Sequence, residues 1–231
     1  AVLEGLDAVA LDLPGFGVAP EPPEPWSSTD YAKHVEPVLD ELAPGPAVVV
    51  GHSFGARVAV RLAAQSLGPG TGKVGPRPTL RALVLVSAPL APFPGARQGS
   101  GQALVYKLGR ALHRSGLLGE GRMEKLRRRY GSPDYRQASP VMRGVLVKAV
   151  QETARAAYMQ PLRHWASAGG ELELVWGAED REASLAGVEE ALAGPPEVLA
   201  KVTVVPGAGH LLYGDLVPQL REAVLRHRPR P

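Results

Sequence analysis

The sequence predicts an α/β fold: a mostly parallel β-sheet flanked by helices, interrupted by one long helical insertion. Short runs of strand character recur at Ala8 to Leu13, Ala47 to Val50, Leu80 to Val86, Glu171 to Gly177 and Lys201 to Val205. Ala47 to Val50 is a continuous run, the mark of a parallel strand buried on both faces. Helical periodicity separates the runs, which is the alternation that builds a parallel sheet. Between the third and fourth runs the pattern is helical throughout, so residues 1–88 and 167–231 are expected to form the core and residues 89–166 a helical lid.

Each element has a local reason. Ala8 to Leu13 ends in Pro14-Gly15-Phe16-Gly17, a strand entering a tight loop. After the proline-rich Pro20 to Pro25, Ser28 or Thr29 can cap a helix that carries Tyr31, Val35, Val38 and Leu42 on one face, with Pro37 bending or restarting it. Ala47 to Val50 runs directly into Gly51-His52-Ser53-Phe54-Gly55, and an alanine-rich helix follows to about Leu67. The Gly-Thr-Gly-Lys within residues 68–78 is not a phosphate loop: Leu67 stands at the first glycine position, Val74 replaces Ser or Thr, and a helix precedes it. A last helix is expected from about Asp215 into Arg226.

Composition narrows the chemistry. With 231 residues and 45% hydrophobic content, the chain can bury one substantial core. It has no cysteine, which excludes disulfides, thiolate metal sites and a cysteine nucleophile, and leans toward a cytoplasmic setting. No apolar run suits a membrane span. The net charge of +3 does not call for nucleic acid. Arg97, Lys107, Arg110, Arg114, Arg122, Lys125 and Arg127 to Arg129 make the expected lid basic, either to steer acidic substrates or, more simply, as a solvated helix face. The histidines show no metal-ligand spacing, so no metal or cofactor is expected.

The residues that carry chemistry sit at strand ends. A serine nucleophile must be exposed to substrate, reach a histidine base and lie beside amide donors, and a strand-turn-helix corner supplies all three. Such a corner needs small residues two before and two after the serine, as Gly51 and Gly55 are around Ser53. An acid and then a base should follow, each after a later strand. Asp180 lies in the loop leaving Glu171 to Gly177, with Glu179 and Glu182 as close competitors; no acid follows Leu80 to Val86, where the chain continues Ser87-Ala88-Pro89. His210 closes a glycine-loosened turn after Lys201 to Val205 and is the expected base. His52 should point away from Ser53 and be structural, and His34, His113, His164 and His227 lie on helical stretches.

With Asp12-Leu-Pro-Gly-Phe-Gly17, Gly51-His-Ser-Phe-Gly55, Trp176-Gly-Ala-Glu-Asp180 and Pro206-Gly-Ala-Gly-His210 in order, the chain resembles the α/β-hydrolase family. The resemblance implies Ser53 as nucleophile, His210 as base and then acid, Asp180 as its orienter, the Phe54 amide as an oxyanion donor, and Asp12, Gly15 and Gly17 as scaffold. It also implies a lid after the family's sixth strand. Two or three further strands and a His-Gly-type loop, whose amide would be the second oxyanion donor, are expected before Ala1; a chain starting there is expected to be a fragment of low activity. The implied activity is hydrolysis of a small or medium-sized carboxylic ester through an acyl-enzyme. Carbon-carbon hydrolases, lactonases, thioesterases and cofactor-free haloperoxidases of this family share the triad, and a ligand-binding member without turnover is the non-enzyme alternative.

Overall fold

A computed structural model describes residues 4–43, 45–67, 80–92, 113, 115–119, 121–125, 133–154, 157–193 and 198–228. In chain order the elements are α1 (Ser28–Leu42), β1 (Ala47–His52), α2 (Phe54–Ser66), β2 (Leu80–Val86), α3 (Pro133–Gln137), α4 (Pro140–Ala154), α5 (Met159–Ser167), β3 (Glu171–Gly177), α6 (Leu185–Leu192), β4 (Ala200–Val205) and α7 (Leu216–His227). The strands form one parallel sheet in the order β1-β2-β3-β4.

Period-two alternation sorts the side chains of the inner strands between two cores. Leu83 and Leu85 of β2, with Leu172, Leu174 and Trp176 of β3, join Ala59, Ala63, Leu162 and Trp165 on one face. Val84, Val86 and Val175 point the other way and meet Leu216, Leu220 and Ala223 of α7. Helix α5 thus flanks the sheet beside α2, and residue 166, where periodicity placed the end of the insertion, falls inside it. A third cluster joins Tyr31 of α1, Val58 and Leu62 of α2, and Met142 and Val145 of α4.

Two expectations change. Ala8 to Leu13 forms no strand: Val9 and Leu11 are exposed, and among the described residues β1 pairs only with β2, so this segment is not hydrogen-bonded into the sheet. Helix α1 is capped by Ser27 rather than Ser28 or Thr29. The Ser27 Oγ accepts the Asp30 amide while the Asp30 carboxylate accepts the Ser27 amide at 2.8 Å, a reciprocal capping box. Pro37 lies inside α1, which runs unbroken through it.

Among the described residues no helix is long and apolar enough to cross a membrane. The expected glycine-rich turn at residues 68–78 lies outside the described residues, as do all the basic lid residues except Arg122 and Lys125.

Candidate active site

The strands end in step, which is what aligns the loops leaving them. The Ser53 amide donates to the Val86 carbonyl at 3.0 Å, the Ser87 amide to Val175 at 3.0 Å and the Ala178 amide to Val205 at 2.9 Å, so each loop starts with one more rung of the ladder. Ser53 then turns sharply, with φ +50°, before α2 begins at Phe54. A non-glycine residue in this region is strained and persists only when its surroundings hold it there. The turn is tight on one side: a Cβ on Gly51 would come within 2.6 Å of the Ala56 Cα. At Gly55, by contrast, a Cβ would meet nothing within 4 Å among the described residues, which place no steric demand there.

Asp180, His210 and Ser53 converge. The His210 Nδ1 lies 3.0 and 3.1 Å from the two Asp180 carboxylate oxygens, and its Nε2 lies 2.9 Å from Ser53 Oγ. A carboxylate only accepts, so the Nδ1–H donates to Asp180 and the Nε2 lone pair faces the serine hydroxyl. The side chains are 1% exposed for Asp180 and 10% for His210. Burial opposes the ionisation of Asp180. The Ala183 and Glu182 amides and His210 outweigh it and hold the carboxyl below the usual carboxylate range. Asp180 accepts those two amides at 2.9 and 2.8 Å, which makes it the centre of its own turn.

The competitors for the acid position separate. Glu182 places Oε2 3.8 Å from His210 Nε2, the opposite ring nitrogen from Asp180. Glu179 uses its amide to donate to the Ala208 carbonyl at 2.9 Å, which ties this loop to the turn before His210. The Phe54 amide opens α2, where the first helical N–H groups have no intrahelical acceptor and the helix dipole favours negative charge. The Asp12 carboxylate accepts the Val18 amide at 3.0 Å, and Phe16 stacks on Phe54 with centroids 5.2 Å apart, so the loop expected to be scaffold lies against the residue after Ser53.

His52 meets the site through His210. Its Nε2–H donates to the His210 carbonyl at 2.9 Å, and the two imidazoles lie 5.4 Å apart. Burial, the dominant influence, pushes the His52 imidazole below its ordinary value.

Three participants escaped sequence reasoning. Ser87 is fully buried just past the end of β2, with φ +46°, and its amide carries the ladder on to the Val175 carbonyl. Gly177 admits the His210 turn: a Cβ there would lie 2.3 Å from the Ala208 and Gly209 carbonyl oxygens. His52 was assigned a structural role without its partner. A strand-end position is the one signal shared by all three.

The alpha/beta hydrolase family model matches residues 1–222. The chain belongs to the alpha/beta hydrolase family. Within the family it is 39% identical, over 57 residues, to a 2-(acetamidomethylene)succinate hydrolase of Mesorhizobium japonicum; that match spans 25% of this chain and only 20% of the enzyme. Its fold is similar to a monoacylglycerol lipase of Paleococcus ferrophilus, with TM-score 0.58 and 16% identity over 93% of this chain and 81% of the other. It is also similar to a serine hydrolase involved in carbazole degradation, with TM-score 0.57 and 15% identity over 93% and 76% of the two chains. These likenesses show the α/β-hydrolase fold, a parallel sheet flanked by helices.

Proposed function

We propose that this chain is a serine hydrolase that splits a small or medium-sized carboxylic ester through an acyl-enzyme. The observation that carries the reading is the row of two hydrogen bonds joining Asp180, His210 and Ser53, with the Nε2 lone pair 2.9 Å from the hydroxyl. Ser53 Oγ attacks the ester carbonyl as its proton passes to His210 Nε2. The Phe54 amide stabilises the oxyanion, and Asp180 stabilises the imidazolium without taking its proton. When the carbon-oxygen bond breaks, Nε2 returns the proton to the departing alcohol. Water, deprotonated by the same nitrogen, then releases the acid and restores Ser53.

Residues 89–166 are proposed to include a cap, to which the described helix α4 would belong. Met142 and Val145 of α4 pack in the cluster that Phe54 borders, next to the nucleophile.

A fluorophosphonate probe tests the reading, because it phosphonylates an activated serine and leaves an ordinary one alone. Labelling of the wild-type chain should vanish in Ser53→Ala and fall steeply in His210→Ala. Labelling that persists in Ser53→Ala, or tight binding of ester-like ligands without any labelling, would overturn it.

A further inference from the structure

The substrate-facing nitrogen of His210 lies between two oxygens of different chemistry. Ser53 Oγ is 2.9 Å from Nε2 and the Glu182 carboxylate 3.8 Å from it. Asp180, at the other nitrogen, is shut away from solvent, whereas the Glu182 side chain is 68% exposed at the mouth of the site. Its position is built into the fold. The Glu182 amide donates to Asp180 Oδ1 at 2.8 Å, the next amide, of Ala183, does the same, and the Ala183 carbonyl accepts the indole N–H of fully buried Trp176 at 3.1 Å. The turn that fixes the acid therefore also fixes the backbone of Glu182.

The direction of the chemistry decides which part of a substrate meets this carboxylate. In the ester hydrolysis proposed above, Nε2 hands its proton to the departing oxygen, so the alcohol portion is the part of the substrate closest to Nε2 and hence to Glu182. We propose that Glu182 sets the charge preference of the leaving-group subsite, favouring esters of cationic alcohols and disfavouring esters of alcohols that carry a carboxylate. The inference rests on the ester-hydrolase reading of Ser53 and His210. It assigns to the reacting centre the preference opposite to the acidic-substrate steering that a basic lid would exert.

An isosteric series reads the effect directly. The butyrate esters of 2-(trimethylammonio)ethanol and of 3,3-dimethylbutanol differ in charge and hardly in shape, and 3-carboxypropyl butyrate adds the anion. Hydrolysis is followed by proton release. The ratio of kcat/KM for the cationic over the anionic ester is the readout, since any general damage to the enzyme cancels from it. Wild type should favour the cationic ester over the neutral one by about fivefold, the scale of an exposed ion pair, and disfavour the anionic ester by about as much. Both preferences should shrink as salt is raised. Glu182→Gln should bring the ratio toward one, Glu182→Lys should invert it, and Glu182→Asp should retain part of it. Ser53-dependent turnover with a ratio that Glu182→Gln does not move would overturn this inference and leave the ester-hydrolase reading standing. No Ser53-dependent turnover of any of the three esters would overturn both.

Discussion

Strand β3 and the loop after it hold two buried carboxylates, and each has a histidine. Asp180, beyond the carboxyl end of the strand, meets His210 Nδ1 at 3.0 Å. Glu173, inside the strand, meets His227 Nε2 at 2.9 Å and is also paired with the Arg226 guanidinium of α7. Both carboxyl groups are held below the usual range. For Glu173 too, burial opposes ionisation and is outweighed, here by Arg226 and His227. The difference lies in the second nitrogen of each ring. His227 turns Nδ1 to Glu171 at 2.6 Å, so both of its nitrogens face carboxylates and neither faces a hydroxyl. His210 turns its second nitrogen to a hydroxyl. A carboxylate-imidazole pair is thus not in itself a sign of catalysis: on this strand one such pair latches a helix to the sheet and the other leaves a lone pair aimed at a serine.

The largest effect that separates the two pairs is on turnover. Asp180→Asn keeps the shape of the side chain but lets His210 adopt the wrong tautomer, and kcat for a p-nitrophenyl ester should fall by about 10⁴. His227→Asn should leave kcat within about threefold while lowering Tm. Comparable losses of kcat in the two variants would erase the distinction.

Stability should respond the other way round. Arg226→Ala leaves Glu173, whose side chain has no solvent exposure, with His227 but without its guanidinium partner, and losing a hydrogen bond to a charged group costs about 2 kcal/mol. Because the folded-state value of Glu173 is depressed, the pair's stabilisation is present above the ordinary carboxylate value, about 4.3, and is lost as pH falls through the folded value. Denaturant titrations should therefore show the gap between wild type and Arg226→Ala widest near neutrality and closing in acid. A gap that grows below pH of about 4 would contradict the latch.

The contrast also explains what could be read from the sequence. Ser53, Asp180 and His210 were legible because each follows a strand run directly, and strand ends in a parallel sheet share one edge. The latch was not. Glu173 sits in an apolar alternation where its charge looks like a solvated face, and only the packing of α7 shows that it faces Arg226 and His227. Ala8 to Leu13 has the composition of a strand, but strand formation depends on a neighbour's backbone, which composition does not reveal. The spacing of Gly51 and Gly55 looks alike in sequence, but among the described residues only Gly51 faces a backbone that a side chain would strike.

A smaller effect would show how the active pair is held. His52 donates its Nε2–H to the main-chain carbonyl of His210 and so fixes the turn rather than the ring. His52→Phe preserves the bulk and deletes the donor. Losing one such hydrogen bond costs about 1 kcal/mol, which lowers kcat about fivefold if the misplacement is felt in the proton transfers. KM should barely move, since the bond positions the base and touches no substrate. His52→Gln offers an N–H at similar reach and should recover most of the loss. The bond needs only the Nε2 proton, and burial keeps the second proton off this imidazole above its ordinary value of about 6.5. The deficit of His52→Phe should therefore stay constant from pH of about 7 to 9. A deficit that His52→Gln does not relieve, or one that appears in KM alone, would mean that this imidazole merely fills space behind the site.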